Sequence, residues 1–352
     1  MAENENVSTQ DRARNFQLST RQNLQMMAEK STTTPNTGIE FQLPKARLLS
    51  NIYLRVHAKV KVIHATKTEI ALSALAPFRL FQQLKLDLNN GFAPYTISGL
   101  GLGLMNLLDK NSDMIMSRQS PYNQCATKLK ASATGVSNDM AFTLQMPVTL
   151  NGRDPVGLLL LQSDQTIADL RASIGSVMDM FIGEDTTGYT ITLESVSVTP
   201  MLETFSIPAN TAAFPDLSVL KLVQDRTDSI TSSGQNIVKL STGTIYRKLI
   251  LYFTDENNKP IDDSDLSGNI ELVFNQADTN YSVSPEMLRA VNAIKTGSDL
   301  PKGVYIFDFS DCSYGSSRDF IDTEKLTEFW LRFNANKRGK VRVISECLSR
   351  LV

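Results

Sequence analysis

The chain reads as all-β, built as two tandem sandwiches, and three observations predict this. Apolar and polar residues alternate with a period of two in run after run along its 352 residues. Turn signals separate the runs, and the few helix-like segments fall in the connections between them. The cleanest run sets Ile52, Leu54, Val56, Ala58, Val60 and Val62 against Tyr53, Arg55, His57, Lys59 and Lys61, the pattern of a long strand with one buried face.

The same pattern recurs at Leu84, Leu86 and Leu88 before Asn89-Asn90-Gly91, and at Met140, Phe142, Leu144, Met146, Val148 and Leu150 before Asn151-Gly152. Both Asn-Gly pairs suit tight hairpin turns. Tyr189, Ile191 and Leu193 begin a further run whose phase shifts at Val196 and Val198, which predicts a bulge. The stretch 200–215, with Pro208 inside it, breaks both periodicities and passes the chain to a second unit. There short strands resume at 219–222, 237–240, 249–253, 270–274, 304–309, 329–333 and 341–344. Each half has the size of an eight-stranded sandwich or jelly roll, and the halves show no evident sequence identity. The expected organisation is residues 1–36 as helix and flexible joint, 37–205 as the first sandwich and 206–352 as the second.

The helical signals are local. From 9 to 30, Ala13, Phe16, Thr20, Leu24 and Met27 recur at spacings of three and four, which predicts a mildly basic amphipathic helix carrying Arg12, Arg14 and Arg21. Residues 31–38 then read as a joint. Such a helix either lies on its own domain or docks on a neighbouring subunit or a membrane surface. Ser284, Pro285, Glu286, Lys295 and Gly297 mark a capped helix whose one apolar stripe is Met287, Val291 and Ile294. Weaker helices are expected around 100–109 and 164–174.

Composition removes most chemistry. Lys+Arg 35 against Asp+Glu 37, a formal net charge of -2, lacks the basic face of a dedicated nucleic-acid binder. His57 and His64 are the only histidines, and Cys125, Cys312 and Cys347 are far apart, so zinc, phosphorelay and redox-dithiol sites have little to build from. A reduced folding environment and a soluble product fit this usage. The N-terminus is polar where a secretory leader would be apolar, and the longest charge-free stretch, 91–108, is broken by Pro94 and three glycines. Gly99-Leu-Gly101-Leu-Gly103 lacks the spacing of a nucleotide loop and predicts a close-packed backbone instead. Asp262, Asp263 and Asp265, and Asp308, Asp311 and Asp319, read as solvated loops, with weak calcium sites or a glycosidase-type pair as the sharper alternatives. Lys337-Arg338-Gly339-Lys340 reads as a hairpin turn or a contact for an acidic neighbour, and Trp330 as core.

Near the C-terminus, Asp299-Leu300-Pro301-Lys302-Gly303-Val304-Tyr305, a polar loop, the strand Phe329-Trp330-Leu331-Arg332-Phe333 and a last strand ending Ser349-Arg350-Leu351-Val352 resemble the closing segment of tectivirus major capsid proteins. The Gln- and Arg-rich helix ahead of the first strand agrees with that plan. These are double jelly-roll coat proteins of tailless bacteriophages with an internal membrane. The resemblance implies two tandem eight-stranded jelly rolls and a homotrimer that fills a hexagonal position in an icosahedral capsid. It implies a structural role without catalysis or cofactor, assembly in the host cytoplasm, a place in the virion and no specific nucleic acid. Expected partners are further copies, minor capsid, penton or membrane proteins, and the internal membrane. Arg12, Arg14, Phe16, Arg21, Leu24 and Met27 are the expected contacts of the N-terminal helix. The alternative is a spike or carbohydrate-binding sandwich, which would show exposed aromatics in its loops.

Overall fold

The computed structural model describes residues 9–350 except 74, 90, 111, 151–154, 163–166, 211–212, 215, 232, 277 and 311–319. The turn at Asn151-Gly152, Asp311, Cys312, Asp319 and the last two residues therefore lie outside the described residues.

Helix α1 (Thr9–Ser19) leads into a first lobe. One of its sheets sets β1 (Gln22–Met26) and β2 (Lys30–Thr32) end to end along β12 (Thr190–Phe205), followed by β4 (Leu48–Ile63) and β9 (Val136–Pro147). The facing sheet runs β3 (Gly38–Gln42), β11 (Ala168–Ile174), β6 (Phe81–Leu88), β7 (Phe92–Ile97). Counting β1 and β2 as one interrupted strand, the eight strands are ordered 1-8-3-6 and 2-7-4-5. Small additions are β5 (Glu69–Ala71) paired with β8 (Lys128–Lys130), and β10 (Leu159–Leu160) on β4.

The second lobe repeats that order. β13 (Val219–Ile230), β21 (Gly339–Arg350), β15 (Ile245–Asp255) and β18 (Val304–Asp308) form its 1-8-3-6 sheet, with β19 (Ile321–Asp322) added on β15. β14 (Gly234–Leu240), β20 (Phe329–Ala335), β16 (Leu266–Phe274) and β17 (Asp278–Val283) form the 2-7-4-5 sheet. Each lobe is a jelly roll, and in each the connection from the fifth to the sixth strand carries a helix. These are α2 (Gly99–Asp109), followed by the short α3 (Ser112–Met116), and α4 (Pro285–Thr296).

The alternation predicted for β4 is realised: Ile52, Leu54, Val56, Ala58, Val60 and Val62 are all buried in the core of the first lobe. The expected bulge on β12 is a register shift between Leu193 and Ser195. A second core gathers Phe253, Tyr305, Phe329, Leu331 and Phe333. Segment 164–174 departs from its helical reading, because Ala168–Ile174 fills the gap between β3 and β6 and takes strand pairing from both sides. The first helix departs too. It stops at Ser19, where the Ser19 and Thr20 hydroxyls donate back to the carbonyls of Asn15 and Phe16. From Gln22 the backbone pairs with β12 instead, Leu24 opposite Glu203 and Met26 opposite Met201. The unpaired edge of β12 offers this weakly apolar segment a full ladder of hydrogen bonds, which outweighs helical spacing that has little to bury.

The shared topology exposes a sequence repeat that inspection of whole halves misses. Asn89, Tyr95, Ser98, Leu102 and Asn106 recur as Asn275, Tyr281, Ser284, Leu288 and Asn292 with the same spacing throughout. The asparagines and serines do the same job twice. Asn89 and Asn275 both adopt positive φ in the hairpin after the fourth strand. Asn89 Oδ1 accepts from the Ile167 N–H at 2.9 Å, Asn275 Oδ1 from the Thr327 N–H at 3.0 Å, in each case at the approach to the seventh strand. Ser98 and Ser284 cap the helices by accepting from Gly101 and Met287. Asn106 donates to the Gln145 carbonyl at 2.8 Å and accepts from its N–H at 2.9 Å; Asn292 does the same with Ile306 at 2.8 and 2.9 Å.

β9 and β18 are edge strands in their sheets. The two carboxamides therefore stand in for a missing neighbour and satisfy buried edge backbone. Replacing Asn106 or Asn292 by Ala strands two backbone groups in either case, and at Asn106 it also removes the bond accepted from the Tyr122 hydroxyl. We expect each to destabilise its lobe by about 2–4 kcal/mol in denaturant unfolding, the two losses being additive because the sites are in different lobes.

Candidate assembly surfaces

Polar residues concentrate where the lobes meet. β7 and β13 pair in parallel, Tyr95 with Val223 and Thr96 with Gln224, so the 2-7-4-5 sheet of the first lobe continues into the 1-8-3-6 sheet of the second as one nine-stranded sheet. Next to that pairing the Asp225 carboxylate accepts from the Ser98 N–H at 3.1 Å, the Ser98 hydroxyl at 2.5 Å and Arg342 Nη1 at 2.7 Å. A Cβ on Gly101 would lie 2.7 Å from Asp225 Oδ2, and Cβ atoms on Gly99 and Gly103 would run into Phe78 and Phe81, so the glycine run is close-packed as expected, Gly101 against the second lobe and the other two against the first.

Deeper in the junction is a charge cluster centred on the buried Lys221, Arg247 and Glu346. Lys221 Nζ lies 3.2 Å and Arg247 Nε 3.6 Å from the Glu346 carboxylate, and Lys248 Nζ lies 2.8 Å from Asp109 at the end of α2. Glu346 is 2% exposed. Burial alone would raise its pKa, but Lys221, Lys248 and Arg247 outweigh burial and hold the carboxyl below its ordinary range. Asp109 is held low in the same way, burial being outweighed by Lys248 and Lys221. Glu346 has no spacing signature in the sequence. It sits on the strand facing β13 and β15, and only the sheet order brings its partners to it.

The predicted contact residues do not share one helical face. Arg12 and Arg14 are exposed on α1, and Arg21 is exposed beyond its end. Phe16 is a plug rather than a free contact: it is 3% exposed, packs with Leu48 and Leu158, and meets the Phe205 ring edge-on at 5.4 Å. Met27 is half-buried against the first core, whereas Leu24 is 57% exposed and its strand neighbour Met26, which helical spacing had passed over, is 70% exposed. The stripe of α4 also turns outward. Leu288 and Asn292 face the core, and Met287, Val291 and Ile294 are 58%, 37% and 82% exposed.

The remaining candidates have structural partners. Asp262, Asp263 and Asp265 pair with Lys302, Arg289 and Lys337 at 2.7, 3.4 and 2.6 Å. Asp308 accepts from the backbone and hydroxyl of Ser310. His57 is exposed, and His64 Nδ1 accepts from the backbone of Thr66 and Lys67. Burial pushes the Cys125 and Cys347 thiols up to about 12, which leaves them protonated and unreactive. Trp330 lies on the outer face of its strand, half-buried, while Phe329, Leu331 and Phe333 fill the core. The basic turn does not close the expected hairpin: β20 pairs with β14 and β16, whereas β21, which Gly339 begins, pairs with β13 and β15, so the turn carries the chain from one sheet of the lobe to the other. In the Pro301-Lys302-Gly303 segment, the Pro301 carbonyl accepts from Val304 and Gly303 takes φ 75°, so the motif is a turn that starts β18. Among the described residues, no group of three or more His, Cys, Asp or Glu is placed to hold a metal ion, and no helix is long and apolar enough to cross a membrane.

No protein-family model and no curated protein matches this chain. Solved structures do. The major capsid protein of Sulfolobus turreted icosahedral virus superposes with a TM-score of 0.69 at 16% identity, covering 94% of this chain and 97% of that one. The PBCV-1 virus capsid matches with a TM-score of 0.66 at 9% identity, over 94% of each chain. The major capsid protein of bacteriophage PM2 matches with a TM-score of 0.56 at 10% identity, covering 94% of this chain and 98% of that one. The fold is thus the double jelly roll of viral major capsid proteins.

The charge cluster gives the junction an acid limit. Glu346 and Asp109 carry depressed values in the folded state, so their contribution is complete above the ordinary carboxylate range, about pH 4, and is lost as pH falls through the folded values. We expect the denaturation midpoint to fall on going from neutral pH to about pH 3. Glu346→Gln, which leaves Lys221 and Arg247 uncompensated, should cost about 3–5 kcal/mol at neutral pH and flatten that acid dependence.

Proposed function

We propose that this chain is the major coat protein of an icosahedral virus, acting through its shape and self-association rather than through catalysis. The observation that carries this reading is the pair of jelly rolls with one strand order, joined edge to edge into a single sheet. It is supported by the fold likeness over 94% of the chain to capsid proteins of viruses with unrelated hosts. Two similar lobes per copy let a trimer present six similar lobes, so a three-fold object fills a hexagonal site in a closed shell. The near-neutral charge permits dense packing without strong self-repulsion.

In this reading the protein is a component of the virion, assembled in the host cytoplasm with minor capsid, penton or membrane proteins, around an internal membrane as in the tectiviruses it resembles. The residue ranges 1–36, 37–205 and 206–352 serve as arm and two jelly rolls, with β1 and β2 of the arm range contributing to the first sheet. Arg12, Arg14 and Arg21 are the residues of the arm that would meet lipid phosphate, and exposed Leu24 is left for a neighbouring subunit. Phe16 and Met27 would hold the arm to its own lobe.

Light scattering should give a mass of three copies; a monomer throughout the micromolar range would overturn the reading. Deleting residues 1–30 would remove the Phe16 plug and β1 together with the arm, so charge reversal is the cleaner probe of the membrane role. Arg12→Glu, Arg14→Glu and Arg21→Glu combined should weaken flotation with anionic phospholipid vesicles by at least about tenfold while leaving the unfolding midpoint in place. Unchanged flotation would remove the membrane role.

A further inference from the structure

Among the described residues, one strand pairing joins the lobes: the free edge of a first strand, β13, lies along the free edge of a fifth strand, β7, beside the helix that follows it. That contact has a donor and a receiver, and the repeat means every copy carries a second set of each. The second receiver is β17, the fifth strand of the second lobe, which ends its sheet, together with α4. The second donor is β1 and β2, the first strand of the first lobe, which ends its sheet beyond β12. Neither edge pairs with another strand among the described residues.

Side chains follow the same correspondence. Tyr95 and Thr96 of β7, which pair with β13, are repeated as Tyr281 and Ser282 of β17. Gly101, the α2 position that faces Asp225, is repeated as Met287, and Met105 as Val291. On α2 these positions are buried; on α4 Met287, Val291 and Ile294 form an exposed apolar stripe. The unused donor is also apolar, with Leu24 and Met26 exposed on β1. An exposed stripe on a helix and an exposed apolar edge strand are both features that soluble chains cover.

We propose that these two surfaces are partners. The β17–α4 face of one copy receives the β1–β2 edge of a second copy, repeating between copies the contact that β7 and β13 make within one. The inference rests on the self-association proposed above and names the surfaces that carry it. Because donor and receiver are different patches, the contact is head-to-tail and must close into a ring or continue as a filament. The internal contact already sets the angle between successive lobes, and copying it between chains favours the ring.

The test uses the full chain with two exposed substitutions, Ile294→Asp on the receiver and Met26→Asp on the donor. Each variant alone should associate at least tenfold more weakly than the unsubstituted chain in sedimentation velocity, with an unchanged thermal unfolding midpoint. An equimolar mixture should form heterodimers, since Ile294→Asp retains the donor and Met26→Asp the receiver, but no closed ring. Variants that assemble like the unsubstituted chain, or a mixture that stays monomeric, would overturn this pairing while leaving self-association intact. An unsubstituted chain that is itself monomeric would overturn both.

Discussion

The structure depends on the parallel pairing of two strand edges, β7 and β13. Each jelly roll alone would leave its fifth and first strands as open edges, with rows of unsatisfied backbone donors and acceptors. Joining them removes one edge from each lobe and creates a nine-stranded sheet that neither lobe contains alone. The pairing is short, only two residue pairs in register, so it cannot hold two lobes by itself. Its neighbours supply the rest: Asp225 ties Ser98 of the first lobe to Arg342 of the second, and the Glu346 cluster carries the connection from β13 and β15 to the end of α2. Burying Lys221, Arg247 and Glu346 is costly unless the cations face the carboxylate, and misplacing one lobe by a strand position would separate Lys248 from Asp109, the pair that crosses between the lobes. The cluster therefore constrains orientation more than it adds stability, in keeping with a protein whose lobes must point in defined directions.

Local pattern shows where this chain is legible and where it is not. The strands whose side chains alternate because one face is buried were readable directly, β4 above all, and so was α4 with its cap, first-turn proline and terminal glycine. The N-terminal segment is not legible in this way, because Phe16, Leu24 and Met27 fit a helical spacing equally well. Their actual fates differ: Phe16 plugs the first lobe from a short helix, while Leu24 lies on a strand whose existence depends on β12, far away in sequence. The assembly surfaces were half legible. The stripe Met287, Val291 and Ile294 was visible, but period alone cannot say whether an apolar stripe faces inward or outward. Leu288 and Asn292 take the inward side because Asn292 must reach the backbone of Ile306.

That last point makes buried asparagine the more informative residue. A polar side chain in a helix facing a core is costly unless its four hydrogen-bonding positions find partners, so its presence twice at one spacing is a signal that topology explains. The run Tyr-x-x-Ser, then Leu four and Asn eight residues after the serine, was present in the sequence in both halves. It was hidden because the intervening residues differ completely: Gly-Leu-Gly where α2 must pack beneath the second lobe, Pro-Glu-Met where α4 is open. What the halves share is what the fold requires of a helix pinned to an edge strand. What they do not share is what each helix meets on its outer face.

The divergence between α2 and α4 is therefore the most direct record of how the two lobes are used. A glycine at 101 is needed because the Asp225 carboxylate of the second lobe sits within a methyl's reach. Were α4 simply solvent-facing, its equivalent position would be expected to be polar, since an exposed methionine in a helix gains nothing that lysine or glutamate would not. Instead positions 287, 291 and 294 are all apolar, while the charged residues of the same helix sit elsewhere, Arg289 in ion pairs with Asp263 and Asp299. Small residues accompany a neighbour that approaches closely through its backbone and carboxylate; large apolar ones suit a neighbour that is itself apolar and less closely apposed. The exposed Leu24 and Met26 on β1 have that character, whereas β13 brings the Asp225 carboxylate against Gly101 beside its own buried Leu220 and Val223. One duplicated contact surface has thus been specialised in two directions, one fixed within the chain by a close-packed glycine and a carboxylate, the other left open, apolar and suited to association between chains.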